Sequence, residues 1–164
     1  MKKSFDKYIA DYGLSLTKLC YSLCSNRHDA EDLYQSTWEK AMKKQKLYDV
    51  EKPFEKWLFT ICINTYRDSQ KRFEKKKILS FQNSEEQQRF LMSIPDFSFD
   101  KDEYIALYNA VNKLPHELKE IIILYYFRDY SVKELSEILS IAQGTAKSRL
   151  SKARDILRKE LNYE

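Results

Sequence analysis

Apolar residues recur along this chain at steps of three and four, and where that rhythm breaks, residues suited to helix ends appear. From about Phe5 to Leu23, the residues Tyr8, Tyr12, Leu16, Leu19 and Leu23 fall on one side of a helix. Ser25-Asn26-Arg27 interrupts the pattern and supplies capping side chains for a second helix. There Ala30, Leu33, Tyr34, Trp38 and Ala41 share a face, while Asp32, Gln35, Ser36 and Glu39 project the other way. Leu47 to Lys52 reads as a loop, and Pro53 suits the first position of a third helix, from Phe54 to about Lys77. That helix buries Phe54, Trp57, Leu58, Ile61 and Thr65. Its last turns, RDSQKRFEKKK, hold six basic and two acidic residues.

From Leu79 to about Asp102 the periodicity fades into Gln, Asn, Ser, Asp and Glu around Pro95, which is linker composition. Helical rhythm resumes near Glu103, and Leu114-Pro115 opens a helix through the run IIILYYF. Such a run is apolar enough for a buried strand, but no partner strand is evident, so a helix is predicted.

The stretch from Ser131 to Arg158 is the most informative. Ser131 and Glu134 form an S-x-x-E capping box, and Val132, Leu135, Ile138 and Leu139 follow at helical spacing. After the turn-length break Ser140-Ile141-Ala142-Gln143, a second stripe runs through Ala146, Leu150, Ala153, Leu157 and Leu161. Ser148, Ser151 and Lys152 then point away from that stripe, with Lys147, Arg149 and Arg154 on its flanks. Two short helices, a tight turn and outward small polar and basic residues describe a helix-turn-helix that reads DNA.

Composition narrows the class. With two Gly and three Pro in 164 residues, the chain is predicted to be all-α, with two small helical domains on either side of a flexible linker. The boundaries expected are 1–78, 79–103 and 104–164. Residues 1–77 carry 17 basic and 11 acidic side chains, net +6; residues 78–103 carry net −4 and residues 104–164 net +2. Basic ends joined by an acidic middle suggest two nucleic-acid contacts. No stretch approaches the ~18–20 apolar residues of a membrane span, and the N-terminus lacks a signal-peptide core, so a cytoplasmic protein without membrane insertion is expected. Three Cys then read as reduced thiols. Cys20, Cys24 and His28 lie four apart on one helical face, but no fourth metal ligand is evident, and ordinary buried thiols are the expectation. Neither a metal nor a cofactor is expected.

Two blocks carry a family resemblance. DAEDLYQSTWEKA (Asp29–Ala41) followed by FEKWLFTICINTYRD (Phe54–Asp68) resembles the second conserved region of bacterial sigma factors. LPHELKEIIILYYFRDYSVKELSEILSIAQGTAKSRLSKARDILRKEL (Leu114–Leu161) resembles their fourth region. With no room for a third region between them, the chain is similar to the extracytoplasmic-function group of the sigma-70 family of RNA polymerase sigma factors. The resemblance implies a non-enzymatic initiation subunit that docks on the clamp coiled coil and flap of core RNA polymerase. It also implies promoter DNA as a partner, an anti-sigma factor as a regulator, and use in a stress response. Asp29, Asp32, Leu33 and Gln35 match the core-docking motif. Tyr48 and Asn64 match positions that receive an extruded base of the −10 element and its neighbour, with Arg67, Lys71, Arg72, Lys75 and Lys76 on phosphates. Lys147, Ser148, Arg149, Ser151, Lys152 and Arg154 match the −35 contacts; Ser148, Ser151 and Lys152 are the base readers, while Arg149 and Arg154, beside the buried stripe, bind phosphates. Asp49-Val50 departs from the basic residue and Gly common in that loop, and Ser151 from a bulkier His or Phe.

Other readings of the same residues stay open. Tyr48 is equally a packed loop aromatic, the Lys run a solvated helix end, and the acidic linker either a nucleic-acid mimic in the polymerase cleft or a solubilising tether. A one-component regulator would use the C-terminal helix-turn-helix without docking on polymerase, but it has no need of the first block. A nuclease needs clustered acids or His for metal, whereas His28 and His116 stand apart.

Overall fold

The computed structural model describes residues 4–76 and 101–162. The chain divides into two compact units, Met1–Pro95 and Asp96–Glu164. The segment expected as an acidic linker, 79–103, lies outside the described residues except at its end, where a helix already begins at Lys101.

Among the described residues, the first unit contains α1 (Phe5–Leu23), α2 (Arg27–Lys43) and α3 (Phe54–Lys76), with a 3-10 turn at Gln45–Leu47. α1 packs along α2, α2 along α3, and α1 more lightly on α3. Each start has a chemical reason. The Ser4 hydroxyl accepts from Lys7 N at 3.4 Å, and the Asn26 carboxamide accepts from Asp29 N at 2.8 Å. Leu16, Leu19, Leu23, Ala30, Leu58, Phe59 and Ile63 fill the centre. At one end Tyr8 stacks on Phe54 with ring centroids 4.0 Å apart, and Tyr48, Trp57 and Trp38 close around them.

The second unit comprises α4 (Lys101–Asn112), α5 (His116–Ile122), α6 (Val132–Leu139) and α7 (Gln143–Glu160). The run IIILYYF is helical, but its second part, Ile123–Phe127, widens into a π turn before the chain reverses at Asp129 (φ 55°). Asp tolerates this left-handed backbone better than most residues. α5 and α6 both pack on α7, the buried stripe of which is Ala146, Leu150 and Ala153. Leu157 is only half-buried, so the predicted stripe loses its depth towards the C-terminal end.

The thiols lie in the interior of the first unit. Cys20, Cys24 and Cys62 are all buried, and the Cys20 and Cys62 sulfurs are 3.9 Å apart across α1 and α3. Burial, and then the Cys62 thiol, push Cys20 well above the usual thiol range, which favours the protonated thiol. His28 points the other way, its side chain 84% exposed. Cys20, Cys24 and His28 therefore do not converge.

Candidate nucleic-acid interface

α6 and α7 form the predicted helix-turn-helix. Both halves of the capping box are present: Glu134 N donates to Ser131 Oγ at 3.1 Å and Ser131 N to Glu134 Oε1 at 3.4 Å. A cap of this kind contributes about 1 kcal/mol to the short α6. Ser140 closes α6 in the left-handed region (φ 55°), and Ile141 N donates back to Ser136 O at 3.0 Å. The chain thus turns sharply without glycine. Ala142 stands at the N-cap of α7 with no side-chain hydrogen bond, so no capping side chain occupies the first N–H groups, the kind of helix start that attracts anions. Beyond it Lys147, Ser148, Ser151 and Lys152 are exposed, opposite buried Ala146, Leu150 and Ala153.

Arg149 and Arg154 are half-buried on the flanks, and Arg154 is committed. Its Nε donates to the Tyr126 hydroxyl at 2.6 Å, and its guanidinium lies 5.1 Å and 5.5 Å from the Tyr125 and Tyr126 ring centroids. The Tyr126 acceptor raises the basicity of this guanidinium further. These contacts join α7 to the π turn, a connection the helical periodicity of α7 alone did not expose.

In the first unit, α2 turns Asp32, Gln35 and Glu39 to solvent. His28 Nε2 and Asp32 Oδ2 are 3.3 Å apart, with the Asp32 side chain 64% exposed. Asp29 is half-buried and its carboxylate accepts from Asn26 Nδ2 at 2.7 Å, so it belongs to the cap of α2. Leu33 is 5% exposed and packs inward. Of the four residues expected at a docking face, two are therefore open to a partner and two hold the helix that presents them.

On α3, Asn64, Lys71 and Arg72 are exposed and Arg67 is half-buried. Asn64, Arg67 and Lys71 are spaced by three and four and share a face. Lys75 and Lys76 fall on the last turn, and their side chains lie outside the described set. Tyr48 is placed differently from an open stacking platform. It is 8% exposed, its hydroxyl donates to Lys52 O at 2.6 Å, and its ring meets Phe54 and Trp57. Burial raises the pKa of its hydroxyl, which stays a donor. The packed-aromatic reading fits this placement.

Residues 8–76 match the family model for sigma-70 region 2, and residues 104–157 match that for sigma-70 region 4. The chain belongs to the sigma-70 family. Its relatives place it in the extracytoplasmic-function group. It is 28% identical to the ECF RNA polymerase sigma factor SigW of Bacillus subtilis, over 96% of this chain and 89% of that protein. It is 26% identical to SigV of the same organism, covering 95% and 90%. The solved sigma factor RpoE of Bartonella quintana, in complex with the anti-sigma factor NepR, superposes with a TM-score of 0.76 at 27% identity, covering 99% of both chains. This sigma factor is a non-enzymatic subunit that binds core RNA polymerase and promoter DNA and directs promoter-specific initiation. Among the described residues, no helix is long and apolar enough to cross a membrane.

Proposed function

We propose that the region 2 unit docks on the polymerase clamp coiled coil through the Asp32–Gln35 face and reads the −10 element, while the region 4 unit meets the flap and reads the −35 element through α7. Asn64, Arg67, Lys71 and Arg72, with Lys75 and Lys76 beyond them, serve the −10 strand. Lys147 and Arg149 hold phosphates of the −35 duplex, and Ser148, Ser151 and Lys152 meet base edges. Asp29, Leu33, Tyr48 and Arg154 act through positioning. The observation that carries the reading is the exposed row Lys147, Ser148, Ser151 and Lys152 on a helix whose opposite side is anchored.

A partner protein is part of the proposal. The RpoE relative was solved with an anti-sigma factor, and an equivalent inhibitor is proposed for this chain. Polymerase and chromosome both reside in the bacterial cytoplasm, which is where this factor works.

Lys152→Ala tests base reading on α7. Lys favours guanine acceptors, so its loss relaxes choice at one or two −35 base pairs, at a cost of about 1–3 kcal/mol on the preferred sequence. The check is run-off initiation from a library of −35 variants. Equal loss on every variant would assign Lys152 to phosphate and remove it from the readers.

A further inference from the structure

Of the five large apolar side chains that stand exposed among the described residues, three (Met42, Leu47 and Val50) fall at the end of α2 and in the loop after it. Leu47 is the most open, at 77%. It sits on a braced support. Leu47 N donates to Lys44 O at 2.8 Å, Tyr48 N to Gln45 O at 3.3 Å, and Lys52 N to Asp49 O at 3.0 Å. Tyr48, the next residue, is driven into the aromatic cluster and ties its hydroxyl to Lys52 O. A buried anchor and a bonded turn thus hold an apolar side chain in solvent, where apolar surface gains nothing.

The surroundings say what kind of partner suits it. Lys43, Lys44 and Lys46 precede Leu47 and Lys52 follows, all exposed. The acids in the loop are Asp49 and Glu51, and the Asp49 carboxylate turns back to accept from Glu51 N at 3.0 Å. A projecting apolar tip bracketed by cations matches a base stack bordered by phosphates. A site for a protein helix would instead be a concave apolar groove rather than a single projecting tip.

We propose that Leu47 is a strand-separating wedge: its side chain enters a base step of the −10 element and unstacks it, while the flanking lysines hold the phosphates on either side. Apolar side chains, leucine among them, kink and unstack duplex DNA in this way elsewhere. The inference rests on the −10 reading of region 2 and moves the base-facing work from Tyr48 to the residue before it.

The test uses holoenzyme reconstituted from the full chain and core polymerase, on a promoter it initiates from. Two templates are compared: the duplex, and the same DNA with the −10 segment already unpaired by mismatches. Permanganate reactivity of unpaired thymines and run-off product are the readouts. Leu47→Ala is expected to lower open complex about ten-fold on the duplex and to stay within about two-fold of wild type on the unpaired template. Leu47→Met is expected to retain most of the activity.

Undiminished opening of the duplex by Leu47→Ala overturns the wedge. Equal losses on both templates overturn it too, and mark Leu47 as a reader of unpaired bases. Loss of core binding overturns it in favour of a protein-docking tip. Circular dichroism and melting should not change, since the side chain is outside the core. Wild-type initiation that is indifferent to replacement of the −10 sequence would instead remove the −10 reading beneath the proposal.

Discussion

Replacing Asp32 and Gln35 together by alanine is expected to weaken binding to core RNA polymerase by about thirty-fold or more. Truncating an interface hot spot costs about 2 kcal/mol or more, and each 1.4 kcal/mol is roughly tenfold in affinity. The pair is suited to that role because α2 presents it with its other face locked into the bundle. Leu33 and Ala30 are buried behind it, and Asn26 with Asp29 fixes the start of the helix. Neither side chain serves the core, so the double variant should melt like wild type. Asp29→Ala is a poor probe of the same surface, because it also removes the Asn26 partner. A fluorescence titration of labelled chain with sigma-free polymerase reads the effect. Unchanged affinity would reject this face as the docking site.

The second large effect concerns Tyr48. Its ring is enclosed by Tyr8, Phe54 and Trp57, so Tyr48→Ala opens a cavity and is expected to cost about 3–5 kcal/mol of region 2 stability. Tyr48→Phe keeps the ring and loses only the bond to Lys52 O, at about 1 kcal/mol. Both tryptophans of the chain, Trp38 and Trp57, belong to this unit. Tryptophan fluorescence during urea unfolding therefore reports on region 2 and not on region 4. If Tyr48→Ala left that transition in place while abolishing promoter opening, Tyr48 would be a base-stacking residue and its buried placement would not represent the working state.

How far the sequence alone could be read depends on the range of the interaction. Helices were legible because their stripes and caps are local: Asn26 and the Ser131–Glu134 box sit where a start was predicted. Pro53 and Pro115 each stand one residue before the helix they introduce, a shift within the usual uncertainty of helix ends. The π turn at Ile123–Phe127 was hidden in an apolar run that gives no sign of a widened backbone. Lys119 and Glu120 are buried although charge alone would place them outside.

At the candidate sites, exposure followed periodicity on α7 and on the outer face of α2. Roles were harder to read where a residue had two plausible tasks. Leu33 matched a docking motif and a core stripe, and it sits in the core. Arg154 was expected on phosphate, and its Nε also meets Tyr126, 28 positions away in the chain, a contact no local pattern reveals. Tyr48 needed the aromatic neighbours of two other segments to decide its placement, and its burial in turn made Leu47 conspicuous.

The central claim is that one chain brings polymerase to particular promoters through two helical units. Genome-wide mapping of RNA 5′ ends made by sigma-free core polymerase, with and without the purified chain, tests it most directly. The account predicts a set of new start sites sharing two upstream sequence elements at a constant spacing. It further predicts that the Asp32→Ala, Gln35→Ala variant loses all of them together. Start sites unchanged by the chain would contradict the account, whatever affinity it showed for DNA alone.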